Sequence, residues 1–235
     1  MLSIIIPTYN EEEYLPRLLA SIRSQRFEGY EIIVADANST DRTREIAERF
    51  GARVVDGGMP GPGRNLGARA AQGDLLLFLD ADVILPDVDW IADKVEQFGR
   101  RKLDAATCLI KPLDGKIIDA LSHNVYNAHM LAMQFVHEHA PGFCIFARKA
   151  LHERIGGFDE AITLAEDHDY VRRATEYGKF RVLLGPRIRV SVRRFERDGR
   201  LNIFAKYLMV ELYNVAKGPI KTDAFNYTFG HRKHQ

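Results

Sequence analysis

The segment Gly73-Asp-Leu-Leu-Leu-Phe-Leu-Asp80-Ala-Asp82 holds an unbroken apolar run, Leu75 to Leu79, closed by two carboxylates one residue apart. A run without alternation predicts a central strand covered on both faces. Asp80 and Asp82 follow where such a strand leaves the core, and open α/β sheets bind ligands outside the carboxyl ends of their strands. Two hard-oxygen side chains at that edge suit a divalent cation that keeps positions open for phosphate oxygens. An Asp-x-Asp alone also suits a polar turn, since Asp is a favoured turn residue.

Working outward toward the N-terminus, Leu2 to Ile6 predicts a strand that Pro7-Thr8-Tyr9-Asn10 breaks. Glu11 to Gln25 carries Leu15, Leu18, Leu19 and Ile22, the spacing of a helix face. Pro16 then has to fall in the first turn. The acids Glu11-Glu12-Glu13 suit the positive end of that helix, and one of them could also reach a ligand. Tyr30 to Ala35 predicts a second strand ending at Asp36. Asn38-Ser39-Thr40-Asp41 supplies cap chemistry for a helix to about Phe50, with Ile46, Ala47 and Phe50 inward. Arg53-Val54-Val55 is a short third strand, so the alternation implies parallel βαβ units. Gly57-Gly58-Met59-Pro60-Gly61-Pro62-Gly63-Arg64-Asn65-Leu66-Gly67 lacks the Gly-x-Gly-x-x-Gly spacing of a dinucleotide fingerprint. It fits better a mobile glycine loop that presents Arg64 to an anionic ligand. Thr8, Asp36 and Asp80 thus fall at three predicted strand ends, which favours a site over three separate turns.

Seven segments in order resemble the family 2 glycosyltransferases. They are Ser3-Ile-Ile-Ile-Pro-Thr-Tyr-Asn-Glu-Glu12, Val34-Ala-Asp-Ala-Asn-Ser-Thr-Asp-Arg-Thr43, Arg64-Asn-Leu-Gly67, Phe78-Leu-Asp-Ala-Asp82, Gly142-Phe-Cys-Ile-Phe-Ala-Arg148, Gly156-Gly-Phe-Asp-Glu160 and Glu166-Asp-His-Asp-Tyr170. The resemblance spans roughly residues 1 to 185. It implies an α/β GT-A fold, Rossmann-like, with a mixed, mainly parallel central sheet flanked by helices. It also implies that Pro7, Thr8, Tyr9 and Glu11 line a nucleotide pocket, that Asp36 hydrogen-bonds the base, and that Arg64 lies near base or phosphates. Asp80, with Ala81 beside it, would reach ribose or metal, and Asp82 would bind Mg²⁺ or Mn²⁺ bridging the diphosphate. Asp167 would be the general base. Asp36-Ala37 stands where many members have two consecutive acids, and the Gln-x-x-Arg-Trp motif of processive members is missing.

In the second half, Trp90 to Lys102 predicts a helix, Ala105 to Ile110 a strand, and Ile117 to about Glu138 a long helix. That helix carries His123, His129 and His137, with His139 beyond. His137-x-His139 does not place both rings on one helix face, although one histidine could complete a cation's shell. Gly142 to Ala147 predicts a strand leading to a tight turn at Gly156-Gly157-Phe158. Glu166-Asp167 opens a helix with Val171, Ala174 and Tyr177 inward. Acids suit a helix N-terminus for capping alone, yet a positioned carboxylate there could also deprotonate an acceptor hydroxyl. Arg187, Arg189 and Arg193 alternate with Ile188, Val190 and Val192, either as a solvated strand face or as a basic wall beside a diphosphate. Leu201 to Ala216 reads as an apolar helix with basic flanks, suited to an anionic membrane, to the catalytic domain or to a dimer partner.

The 235 residues, 46% hydrophobic and 28% charged, can bury one substantial core. The expected organisation is a single catalytic domain over 1–217, with a nucleotide-sugar half (1–100), an acceptor half (101–192) and a helical segment (193–217), followed by a mobile tail (218–235). A formal net charge of +1 gives no case for nucleic acid as a partner. Cys108 and Cys144 form no metal-ligand spacing and read as buried thiols. No basic-then-apolar leader follows Met1 and no apolar run reaches about 18 residues, so the expected location is the cytoplasm, with peripheral contact at the inner membrane face as one reading. The expected activity is inverting sugar transfer from a nucleotide-diphosphate sugar, a UDP-sugar slightly ahead of a GDP-sugar, to a hydroxyl or phosphate of a glycan or lipid-linked acceptor. The rival readings are a nucleotidyltransferase and a non-catalytic nucleotide- or glycan-binding module.

Overall fold

The structure, a computed structural model, describes residues 1–135, 140–200, 202, 203 and 209. Strand β1 (Leu2–Thr8) lies at the centre of a parallel sheet. On one side it pairs with β2 (Tyr30–Asp36) and, beyond it, β3 (Arg53–Asp56); on the other it pairs with β4 (Leu75–Leu79). The order β3-β2-β1-β4 reverses direction at β1, which opens a crevice at the carboxyl ends of β1 and β4. Thr8 stands opposite Asp36 in the ladder, and β4 releases Asp80 alongside them.

Alternation along the strands sorts the helices onto two faces. Ile4, Ile6, Leu77 and Leu79 pack with α1 (Leu15–Arg23), α2 (Thr43–Arg49) and α4 (Trp90–Arg100). Ile5, Ile33, Leu76 and Phe78 pack with α3 (Pro60–Ala70) and with two later helices, α6 (Lys149–Arg154) and α7 (Glu166–Thr175). The apolar run of β4 is therefore covered on both sides. That burial follows from its composition.

The second half joins in the opposite sense. Strand β7 (Cys144–Arg148) runs antiparallel to β4, with Leu79 opposite Cys144. It is followed in the sheet by β6 (Ala105–Pro112) and β8 (Phe180–Val190), which are parallel to each other, with an irregularity in β6 between Cys108 and Ile110. The two-residue strand β5 (Val83–Ile84) closes the far edge by pairing Val83 with Val190. This short pairing draws the chain just after Asp82 against the chain just before Arg193. Cys108 and Cys144 are both buried and free.

Several expectations change. The glycine-rich stretch is not a loop but helix α3. Pro60 sits in its first turn, where its missing N–H would be unpaired anyway. A Cβ on Gly67 would overlap Ile5, and one on Gly63 would lie 2.9 Å from the Gly58 carbonyl oxygen and 3.2 Å from Pro7 Cβ. The glycines let α3 press onto β1, which is a packing requirement. Helix α1 starts at Leu15, so Glu11–Glu13 precede it and do not occupy its first turn. Helix α6 was not anticipated. Tyr177 lies beyond the end of α7 and is 51% exposed, and Tyr170 takes the inward place instead. Helix α5 (Ile117–Met133) is shorter than expected, and β8 ends at Val190, so Arg193 leaves the strand and opens α8 (Arg193–Asp198). His137, His139 and the tail 218–235 lie outside the described residues, as does most of the segment 201–216 expected to be an apolar helix. Among the described residues no helix is long and apolar enough to cross a membrane.

Candidate active site

The loops after β1 and β2 form the first wall of the crevice, and they are stitched together. Asn10 adopts φ 53°, a left-handed conformation that Asn tolerates. Its Oδ1 accepts from the Thr40 amide at 2.8 Å, and its own amide donates to Ser39 Oγ at 2.8 Å. The Glu11 amide donates to Thr43 Oγ1 at 2.8 Å, and the Glu12 amide to Asp41 Oδ2 at 3.1 Å. Pro7 and Tyr9 are half-buried on this wall. Asp36 is fully buried: it accepts from Thr8 Oγ1 at 3.0 Å and the Ser39 amide at 2.9 Å, and pairs with Arg44 at 3.3 Å. The carboxylate expected to meet a base thus holds the wall from behind, because protein donors already occupy it.

The floor is built on Arg64. Its helix presses so close to β1 that the side chain is 2% exposed. Nη2 donates to Asp80 Oδ1 at 2.8 Å and to the Gly142 carbonyl at 3.1 Å, and Nη1 donates to Glu166 Oε1 at 2.6 Å. The guanidinium also lies 5.2 Å from the centre of the Phe158 ring. Burial alone would lower its pKa, but Asp80, Glu166 and Asp167 outweigh that and push it up. Arg64 is therefore a fixed cation beneath the crevice, not the exposed anion-binder expected of a loop.

Glu166 and Asp167 open α7, as expected. The residue before them, Ala165, has φ 60° and ψ 38°, a conformation that costs a non-glycine residue roughly 1–2 kcal/mol. This turn aims Glu166 down at Arg64, and burial raises the Glu166 pKa against the pull of that arginine. Asp169 is taken by Arg172 at 2.8 Å and Arg173 at 2.7 Å. Asp167 is half-buried, and among the described residues no lysine or arginine forms an ion pair with it. A Cβ at Gly142 would stand 3.1 Å from Asp167 Oδ2 and 2.8 Å from Arg64 Nη2, so the backbone there passes between the two groups.

The roof comes from α8. Arg193 donates through Nη1 and Nη2 to Glu11 at 2.8 and 2.7 Å, and its Nε lies 2.9 Å from Asp82 Oδ2. Its guanidinium also sits 4.5 Å from the centre of the Tyr14 ring. Burial raises the pKa of both Glu11 and Asp82, and Arg193 opposes the rise at each. Ala81, between the two aspartates, is buried. The other two arginines of the expected basic wall stay on β8: Arg187 donates to Asn124 of α5, and Arg189 sits in the ladder between Lys111 and Ile84. The position of Arg193 was missed because it depends on β5 pairing with β8. The only local signal was the density of basic residues after Val190.

Can these residues hold a divalent cation? Among the described residues no three His, Cys, Asp or Glu side chains converge as a complete metal site. His123 Nδ1 lies 2.7 Å from the Asp119 carbonyl oxygen, and its ring stands 6.1 Å from that of Phe195 on α8. The charge balance does fit. Among the described residues, the five acids Glu11, Asp80, Asp82, Glu166 and Asp167 outnumber the three arginines set against them, Arg64, Arg193 and Arg194. Asp80 and Asp82 would supply two carboxylates, enough for a cation whose remaining ligands come from substrate phosphates and water.

Residues 3–155 match the model of the glycosyl transferase family 2. The chain belongs to that family. The poly(ribitol-phosphate) beta-N-acetylglucosaminyltransferase TarS of Staphylococcus aureus strain Mu50 is 37% identical over 90 residues, which is 34% of this chain and 16% of TarS. The family 2 chain described here therefore spans only a small part of that relative's length. Its fold is similar to that of S. aureus TarS 1–349 in complex with UDP-GlcNAc, with a TM-score of 0.67 and 24% identity, covering 81% of this chain and 58% of the other. It is also similar to mannosyltransferase PcManGT from Pyrobaculum calidifontis in complex with GDP-Man and Mn²⁺, with a TM-score of 0.66 and 22% identity, covering 88% and 65%. At these identities the likeness is one of fold. The mixed, curled sheet flanked by helices is the GT-A arrangement.

Proposed function

We propose that the protein is a metal-dependent inverting glycosyltransferase that moves a sugar from a nucleotide-diphosphate sugar to an acceptor hydroxyl on a glycan or lipid-linked substrate. One observation carries this reading: Asp80, at the end of β4, and Glu166, beside Asp167 at the start of α7, are joined through the single buried guanidinium of Arg64. The link sets a donor-side acid and the acid suited to be a base at a fixed separation, as in-line displacement requires. The nucleotide-sugar complexes of the two structural relatives support a UDP- or GDP-sugar as donor, and Mn²⁺ in one of them supports a metal.

In this reading residues 1–100 form the donor half and 101–192 the acceptor half of one catalytic unit extending to 217. Pro7, Thr8, Tyr9 and Glu11 line the nucleotide pocket, with Asp36 fixing its wall and Arg64 its floor. Asp82 and Asp80, with Ala81 between them, hold Mg²⁺ or Mn²⁺. Once bound, the cation neutralises charge developing on the departing diphosphate, often a large catalytic contribution. Asp167 accepts the proton of the acceptor hydroxyl as its oxygen attacks the anomeric carbon from the face opposite the leaving group. A base so positioned contributes roughly 10²–10⁴-fold. Glu166, held by Arg64, orients the helix turn that presents Asp167.

The test is thermal stabilisation by UDP and by GDP, each with Mn²⁺ or with EDTA, on the wild type and on Asp82→Ala. Specific binding raises the melting temperature by mass action. A Mn²⁺-dependent rise that Asp82→Ala removes is the expected result, and the base that gives it names the donor class. No stabilisation by any nucleoside diphosphate would overturn the reading. Inversion is checked by the anomeric configuration of the first-formed product in NMR.

A further inference from the structure

The closed arrangement of Arg193 presents a conflict. Its guanidinium makes three charge-assisted contacts of 2.7 to 2.9 Å with Glu11 and Asp82, and Asp82 is one of the two aspartates suited to a cation. A full positive charge already stands on that carboxylate. A divalent cation that used it would lie beside a guanidinium, and like charges at such separations repel.

The carrier of Arg193 resolves the conflict. Helix α8 has six residues and none of them is buried. Val192 just before the helix and Ile203 beyond it are buried and anchor the stretch, and ion pairs hold much of what lies between. Arg193 grips Glu11 and Asp82 at its start, and two residues past its end Arg200 grips both oxygens of Asp119 at 2.7 Å each. Gly199, between the two grips, has φ 83°, a backbone state open to glycine. Between those anchors, a helix with no fully buried residue, resting on exchangeable ion pairs, is the kind of segment that opens at low free-energy cost.

We propose that Arg193 guards Asp82 in the donor-free protein and transfers to the donor's diphosphate when donor and cation bind together. This rests on the donor-site reading above. In the closed state, with Arg194 adding positive charge near Asp82, Arg193 pairs with both Glu11 and Asp82. On donor binding it releases Asp82 and turns its planar fork to phosphate oxygens, a geometry guanidinium suits. The cation alone binds poorly because it has to displace Arg193 without offering it another anion. Cation with nucleotide binds well because the diphosphate receives the arginine. Arg193 then touches the leaving group and joins the positive charge stabilising it.

The experiment measures Mn²⁺ binding to nucleotide-free protein by electron paramagnetic resonance of the free ion, and UDP or GDP binding at saturating Mn²⁺ by calorimetry. Wild type, Arg193→Gln and Arg193→Lys are compared. Removing a guard raises the apparent cation affinity by the reciprocal of the fraction of molecules that had been open, so a tenfold gain corresponds to a site about 90% closed. Arg193→Gln should bind Mn²⁺ about tenfold more tightly than wild type without nucleotide, yet bind the nucleoside diphosphate about tenfold more weakly with Mn²⁺ present. Arg193→Lys keeps the charge but not the fork, and should shift both values in the same directions by less. It carries the test if Arg193→Gln does not fold. A merely structural arginine predicts lower stability with no gain in Mn²⁺ affinity, and that result in the folded variant would overturn the proposal. Wild-type protein that binds neither UDP nor GDP with Mn²⁺ would instead sink the donor-site reading, while the nucleotide-free Mn²⁺ comparison still decides whether Arg193 guards Asp82.

Discussion

Two guanidinium groups divide the acids of the crevice between them, one from below and one from above. Arg64 ties Asp80 to Glu166 from helix α3, where Gly61, Gly63, Asn65, Gly67 and Ala68 are buried alongside it. Arg193 ties Glu11 to Asp82 from α8, none of whose six residues is fully buried. The ion-pair chemistry is nearly the same, and the carriers are not. To move Arg64, α3 would have to separate from β1; to move Arg193, its ion pairs with Glu11 and Asp82 and its seat on the Tyr14 ring must exchange. The pair shows that what a buried salt bridge does depends on what its backbone is packed against.

The most severe way to break this comparison is Arg64→Met. It strands Asp80 and Glu166 at the floor, and removing one partner of a buried pair typically costs about 3–5 kcal/mol. Urea denaturation should show that loss, and turnover should vanish with it. Asp167→Asn removes no ion pair from either clamp, though it takes one charge from beside Arg64. Turnover should fall about 10²–10⁴-fold while nucleotide binding and urea midpoint stay near wild type, which separates the chemistry from both arginines.

Acid separates floor from roof. His152 lies under the floor, its Nδ1 3.1 Å from Tyr170 Oη, and Tyr170 stacks on the Phe158 ring that faces Arg64. Burial, aided by Arg173, Arg69 and Lys149, holds the His152 pKa at about 4, against an ordinary 6.5. Between those values the unfolded chain binds a proton that the folded one refuses, so this contribution is intact above pH 6.5 and is lost as pH falls toward 4. The loss should approach about 3 kcal/mol at most and should flatten in His152→Gln, as stability curves against pH would show. The mildest break is Gly67→Ala, which alters no charge. The added methyl pushes α3 away from Ile5, at about 1–3 kcal/mol for overpacking, and should lower turnover by misplacing Arg64. Unchanged turnover in that variant would mean that tight α3 packing is not what positions the floor.

The parts of the site legible in the sequence were those written locally. An unbroken apolar run from Leu75 to Leu79, closed by turn-forming residues, reads as a strand covered twice, and Asp80 and Asp82 emerge at its end. Tyr30 to Asp36 was legible for the same reason. Helix α3 was not, because its glycines and prolines lower helix propensity while their benefit, contact with Ile5 and Pro7, comes from another strand. Asp36 was placed at the right strand end, but its buried donors come from Thr8, Ser39 and Arg44, residues that only the fold assembles. Arg193 depended on two residues of β5 pairing across to β8. A contact that short and that distant in sequence leaves no periodic trace.

The stitching of Asn10 and Glu11 to Ser39, Thr40 and Thr43 has a consequence for how this protein could change its donor. The pocket rim gains its order as the sheet folds, so an arriving nucleotide does not have to immobilise loops, which is an entropic advantage in any complex. A rim fixed in advance also confines innovation to side chains projecting from an unchanging backbone. Variants that switch between uracil and guanine should therefore arise from one or two replacements on this wall, with association rates close to those of the parent.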